Sequence, residues 1–251
     1  MARRQPEGPA HVPPVQRLRL QYAKRGRLRF SSHRDFARAF ERSLRRAEIP
    51  MSYSAGFHPH PKISYVGAAP TGVGSEAEYL EIALARQCDP EQVRAALDAV
   101  LPDGLDMIRA VDVLECRPGS LAEQIQGSRW QLELVADPAE LAEAVRQLLA
   151  AEQVLVERLT KDGTRSLDAR APIVSAQVSA AAEDPERAIM TMVVRQVTPT
   201  VRPDDVLTAL RLVAGFALLE PARATRLAQG PIDDAGEVRD PLRTSELSTV
   251  E

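Results

Sequence analysis

Three of the four histidines in the chain, His33, His58 and His60, stand close together in sequence, and His60 has proline on both sides in the run Phe57-His58-Pro59-His60-Pro61. Imidazole titrates near neutrality, so His33 and His60 could act as a general acid and base in cleaving a phosphodiester. The same histidines with Asp35 or Glu78 could instead hold a metal ion, although His-x-His alone is a weak metal signature. A third alternative is structural, with the loop packing on a helix start and its histidines capping turns. No nucleophile–base motif accompanies them, so whether the chain is an enzyme stays open. The expectation is no resident metal and no cofactor.

The second chemical feature is charge. Up to Tyr65 there are twelve Arg and two Lys against four acids, a net +10, so with −3 overall the remainder carries −13. Charge segregated in this way steers a polyanion to one surface. Arginine outnumbers lysine here, and its planar fork suits phosphate. Arg17, Arg19, Arg27, Arg29, Arg38, Arg42, Arg45, Arg46 and Lys62 are the candidate contacts, with RNA the expected partner. The alternatives are a solvated charged face and a face that docks an acidic protein. Gly67, Gly72 and Gly74 could offer backbone N–H groups to a phosphate, with Glu76 on the rim, but no Walker lysine is present and a plain loop between strands is the preferred reading. Aromatic residues make up only 4% of the chain, so shape and phosphate recognition is expected over the stacking of many bases, although Tyr53, Phe57 and Tyr65 interleave with the basic region.

The elements that must position these residues are legible in outline. Leu18, Leu20 and Tyr22 alternate with Arg17, Arg19 and Gln21, which predicts a strand; Lys24-Arg25-Gly26 reads as a turn, and Leu28 and Phe30 resume the alternation. Ser32 and Asp35 have the spacing of a capping box. Phe36, Phe40, Leu44 and Ala47 form the buried stripe of the helix that follows, and Arg38, Arg42, Arg45 and Arg46 form a second stripe. Further strands are expected near 63–66, 78–84 and 107–113, with a helix opened by Asp89-Pro90 between the last two. The order β-α-β-β-α-β predicts an α+β fold of the ferredoxin-like kind.

The second half reads as a repeat of the first. A strand at Trp130, Leu132 and Leu134 precedes a helix opened by Asp137-Pro138. Next come a strand at 154–159, a turn at Lys161-Asp162-Gly163, strand-like stretches near 165–180 and 187–198, a helix near 203–213 and a strand near 216–227. The expected organisation is two tandem ferredoxin-like domains, 15–115 and 129–228. A linker at 116–128 would join them, with disordered ends at 1–14 and 229–251.

Composition bounds the rest. With 44% hydrophobic and 27% charged residues and no long apolar run, the chain reads as soluble, without a membrane span. Residues 1–14 lack the apolar segment of a signal peptide, so the cytoplasm is the expected location. Two isolated cysteines, Cys88 and Cys116, exclude a disulfide scaffold and a thiolate-built cluster.

Four ordered motifs carry a resemblance. They are Phe30-Ser31-Ser32-His33-Arg34-Asp35, Arg45-Arg46-Ala47-Glu48-Ile49-Pro50, Gly56-Phe57-His58-Pro59-His60-Pro61-Lys62 and Gly72-Val73-Gly74-Ser75-Glu76. Over about residues 15–225 the chain resembles the bacterial radical SAM-associated proteins, or DUF2344. Arg34 stands where that family usually has an aliphatic residue, and His58 where it has Asn. The resemblance implies association with a radical SAM protein and a functional link to an E/G-type ribonuclease, and together with the basic face it leads to the expectation of a non-catalytic RNA-binding accessory that assists a radical SAM protein. The rival expectations are a metal-independent endoribonuclease, by fold analogy with CRISPR repeat-processing enzymes, and a scaffold for an acidic protein.

Overall fold

The computed structural model describes residues 13–160, 163–182, 184, 187–218 and 220–243. It is an α+β protein with antiparallel strand pairing and, among the described residues, five helices. The chain divides into two compact units: the first runs to Ala122 and takes up the chain again from Pro241, and the second is Glu123–Asp240.

The first unit contains β1 (Gln16–Lys24), α1 (His33–Arg46), β2 (Ile63–Val66), β3 (Gly74–Leu84), α2 (Pro90–Asp98) and β4 (Met107–Asp112), and the single-turn α3 (Leu121–Gln124) spans the boundary between the units. Its strands lie in the order β4-β1-β3-β2, every neighbouring pair antiparallel. Register aligns Leu18 with Ile82 and Leu20 with Leu80, so the expected apolar face of β1 meets that of β3. Phe36, Phe40 and Leu44 of α1 and Val93 and Leu97 of α2 are buried with these strand residues in one core. The Tyr22 and Phe36 rings stack at 4.2 Å.

Segment 26–30 differs from the expected strand. Gly26 has φ +52, and Leu28 N–H donates to the Arg25 carbonyl (3.1 Å) while Ser31 N–H donates to that of Leu28 (2.9 Å), winding Gly26–Phe30 into a 3₁₀ turn. Arg27 and Arg29 therefore do not share a strand face with Arg17 and Arg19. Phe30 is turned outward, 60% exposed. Lys24, expected in a turn, ends β1 and is buried. Gly104 lies against this turn: its carbonyl accepts from Arg25 N–H (2.8 Å), its φ is +89, and a Cβ there would stand 2.9 Å from the Arg25 carbonyl oxygen.

The second unit contains β5 (Gly127–Val135), α4 (Pro138–Ala150), β6 (Leu155–Thr160), β7 (Gly163–Asp168), β8 (Ile173–Ala180), β9 (Arg187–Arg195), α5 (Pro203–Ala214) and β10 (Arg223–Gly230). Its sheet runs β10-β5-β9-β8, again antiparallel throughout. The strand expected at 154–159 exists as β6 but takes no place in that sheet. It pairs with β7 alone as a separate hairpin, and β8 supplies the sheet strand instead. Lys161 and Asp162 of the expected turn lie outside the described residues. The hairpin is attached at its base, where Val156 and Leu167 are buried and the Arg158 guanidinium pairs with buried Asp205.

Residues 1–12, within the expected disordered start, and 244–251, within the expected disordered tail, also lie outside the described residues. Between them the chain is ordered later than expected: β10 runs to Gly230, Ile232 bridges Val238, and Leu242 is buried.

Candidate functional site

Helix α1 is set by its own sequence. Ser32 Oγ accepts from Asp35 N–H (3.2 Å), and the Asp35 carboxylate accepts from the Ser32 N–H (3.3 Å) and hydroxyl (2.6 Å), completing the capping box. These bonds from Ser32, helped by Arg38 and Arg34, hold the Asp35 carboxyl below its usual range. One face of the helix is buried through Phe36, Phe40 and Leu44. At about 100° per residue, Arg34, Arg38, Arg42, Arg45 and Arg46 fall within an arc of roughly 120° on the opposite side. All five are exposed, and none is in an ion pair among the described residues. Arg34 and Arg38 share the field of Asp35 and no guanidinium of the five is held in an ion pair among the described residues, so the stripe is a net positive surface open to phosphate. Arg42 and Arg46 also line an open groove of about 420 Å³ whose far wall is Ala99, Val100, Leu101 and Pro102, beyond the end of α2.

The other candidate cations are placed differently. Arg19 is buried at 1% exposure: its Nη2 donates to the Gly119 carbonyl (2.6 Å), Nη1 to that of Arg117 (3.4 Å) and Nε to Glu81 (3.4 Å). It staples the chain after β4 to the sheet and is not presented to a ligand. Arg17, two residues earlier, is exposed and pairs with the same Glu81 at 3.3 Å. Arg27 is exposed, while Arg29 is half-buried with its guanidinium 4.7 Å from the Phe30 ring centre. Lys62 is half-buried, and its backbone is pinned between Ser52 and Ala83. The helix stripe, Arg17 and Arg27 are exposed, whereas Arg19 belongs to the interior.

The His-Pro loop is a closed structure. Ser54 N–H donates to the His60 carbonyl (2.9 Å), His60 N–H returns a bond to Ser54 Oγ (3.0 Å), and Tyr53 bridges Pro61. Gly56 at φ +121 helps turn the tip, which carries Phe57 and His58 into solvent. Phe57 is 74% exposed. A recess of about 210 Å³ lined by Glu41, Leu44, Arg45, Glu48, Ile49, Met51, Tyr53 and Pro61 puts the base of the loop beside the second half of α1, with two carboxylates and one guanidinium on its wall. His33 is exposed at the other end of that helix, with Tyr65 edge-on to its ring at 4.9 Å. Burial, then the Glu41 charge, pushes the Tyr65 phenol up.

The metal set considered from sequence is not assembled. Asp35 is engaged by Ser32, Glu78 is buried and accepts from Ala69 N–H (2.8 Å), and no group of three or more His, Cys, Asp or Glu gathers as a metal site among the described residues. The glycine loop is also tied down from below. Lys24 Nζ donates to the Ala69 and Pro70 carbonyls (3.3 and 3.1 Å), and Gly72 N–H, with φ +90, donates to the Arg29 carbonyl (2.8 Å). Gly74 begins β3 in a buried position. Glu76 is paired with Arg25, and this bond raises the guanidinium pKa above its usual value. The loop's polar groups thus serve the fold.

Sequence reasoning missed Arg34 and Phe30. The first was legible as the position four residues before Arg38 on the same helical face. The second was hidden because strand alternation placed it inward, and only the positive φ of Gly26 reverses that.

A family model described as an uncharacterized protein conserved in bacteria, DUF2344, matches residues 17–203. No curated protein matches the chain.

Proposed function

The chain belongs to the DUF2344 family, and from that premise we propose that it is a non-catalytic RNA-binding protein that assists a radical SAM partner in RNA modification or processing. The observation that carries the RNA-binding role is the face of α1, where Arg34, Arg38, Arg42, Arg45 and Arg46 are exposed without ion-pair partners. Arginine forks arrayed along one helix favour a linear polyanion over a single small anion. The radical SAM partner and the link to an E/G-type ribonuclease rest on the four sequence motifs. Two cysteines, Cys88 and Cys116, are too few to supply the three thiolates of such a cluster, so that chemistry would belong to the partner.

Both units are taken as ferredoxin-like, the second carrying an inserted hairpin. The sheet orders β4-β1-β3-β2 and β10-β5-β9-β8 support this, because the first-to-last strand sequence is the same in each. Among the described residues no helix is long and apolar enough to cross a membrane, and the cytoplasm is the proposed location.

The test is binding of labelled RNA to the full chain by fluorescence anisotropy, comparing wild type with Arg38→Glu/Arg42→Glu/Arg45→Glu. Loss of binding in the variant, with its melting temperature retained, is the expected result. Undiminished binding would overturn the assignment of this surface.

A further inference from the structure

We propose that Phe30 and Phe57 are stacking platforms for unpaired nucleobases, so that the RNA lying along α1 is single-stranded where it meets them. This rests on the RNA-binding role proposed above and goes beyond it by naming the form of the ligand.

The chain has five phenylalanines, and Phe36, Phe40 and Phe216 are buried as core residues. The two that are not, Phe30 at 60% exposure and Phe57 at 74%, lie on the segments that lead into α1 and out of it. Phe30 stands just before the start of α1. Phe57 sits at the tip of the loop whose base packs beside the second half of that helix, in the recess shared by Arg45 and Tyr53. Fourteen helical residues lie between the two ends, a rise of about 20 Å. Exposed arginines thus run from one exposed ring toward the other, the arrangement of a charged track with aromatic stops.

Each ring is also held in place before any ligand arrives. The turn carrying Phe30 is fixed by the Leu28 and Ser31 backbone bonds and by Ser31 Oγ donating to the Leu28 carbonyl (2.6 Å). Arg29 lies over the Phe30 ring at 4.7 Å, which adds a cation beside the surface a base would use. The loop carrying Phe57 is closed by the paired bonds between Ser54 and His60, with Pro59 and Pro61 restricting its backbone. A pre-set aromatic face loses little conformational freedom when a base stacks on it.

A duplex cannot use such rings, because its bases are already stacked on one another and present only edges and phosphates. An unpaired base offers its flat face, and loss of one such platform lowers affinity by about 5- to 150-fold. Scattered exposed apolar residues are ordinary. These two differ in being aromatic, braced and adjacent to unpaired arginines.

The experiment uses the full chain with one fluorescein-labelled oligoribonucleotide, either alone or annealed to its complement, at one fixed salt concentration. Wild type, Phe30→Leu/Phe57→Leu and Arg38→Glu/Arg42→Glu/Arg45→Glu are titrated by anisotropy, and melting temperatures verify that each variant is folded. The expected result for the double phenylalanine variant is a loss of at least about 25-fold on the single strand, with duplex affinity within about twofold of wild type. Equal losses on both probes, or no loss on the single strand while the arginine variant fails to bind, would overturn the stacking role and leave the RNA-binding role standing. Undiminished binding of the arginine variant would overturn the RNA-binding role and this inference with it, as would failure of wild type to bind either probe.

Discussion

Replacing Arg19 with Met should destabilise the first unit far more than replacing Arg17, although the two residues point the same way along β1. Arg19 is 1% exposed and its Nη2 bond to the Gly119 carbonyl, at 2.6 Å, is short and charge-assisted. A hydrogen bond from a charged group contributes about 1.5–3 kcal/mol. The contacts at 3.4 Å to Arg117 and Glu81 are long and add little. Breaking a buried pair typically costs about 3–5 kcal/mol, because it strands the remaining charge. Here Glu81 keeps Arg17 at 3.3 Å and retains 18% side-chain exposure, so the charge is not stranded. Methionine also fills much of the space of the arginine stem. A loss of about 2–3 kcal/mol follows, and for a chain of this size that lowers the melting temperature by roughly 4–12 °C. Arg17→Met breaks only an exposed pair and should change stability by about 0.5 kcal/mol or less. Differential scanning calorimetry on the two variants measures the contrast directly. Equal, small shifts would refute the structural role of Arg19, most plainly if RNA affinity fell in their place.

Three further outcomes are expected. If the five helix arginines each neutralise one phosphate of a single strand, the slope of log affinity against log salt should be about −3.5, close to a hundredfold loss between about 50 and 200 mM, and Arg38→Glu/Arg42→Glu/Arg45→Glu should reduce it to about −1.4 or less. The Asp35 carboxyl is held below its unfolded value by Ser32, so the stability it lends the start of α1 is present above the unfolded carboxylate range and is lost as pH falls through the lowered value. Circular dichroism of wild type and Asp35→Asn should therefore differ near neutrality and converge in acid. Gly104→Ala should destabilise by about 1–3 kcal/mol in urea unfolding, because alanine is strained at φ +89 and its Cβ would meet the Arg25 carbonyl at 2.9 Å.

Local chemistry was legible in the sequence, and contacts distant in sequence were not. The capping box at Ser32 and Asp35 and the Asp-Pro starts of α2 and α4 are decided within a few residues, and the structure forms them as expected, with Asp89 accepting from Glu91 N–H and Asp137 from Ala139 N–H. The apolar alternation of Leu18, Leu20 and Tyr22 likewise predicts the buried face of β1. Arg19 could not be separated from Arg17 by any local signal. What buries it is the carbonyl pair of Arg117 and Gly119, about a hundred residues away in sequence and brought over it by the chain after β4. Strand β6 has the apolar content of a sheet strand, and the turn after it was legible, yet nothing local says that β7 takes all of its pairing and leaves the sheet position to β8. Segment 26–30 has strand-like alternation, and one backbone angle at Gly26 overrides it.

The hairpin β6–β7 occupies a particular place in the chain. It falls between α4 and β8, the connection from the first helix of the second unit to the outer strand of its sheet. In the first unit the corresponding connection, from α1 to β2, is the one that holds the His-Pro loop. Each unit thus completes its sheet without that segment and varies its architecture there. A graft exchanging the two segments would keep every sheet strand provided that the anchors were matched, Met51 in one unit and Val156, Leu167 and the Arg158 partner of Asp205 in the other, which makes this connection the natural site for giving one scaffold a second specificity.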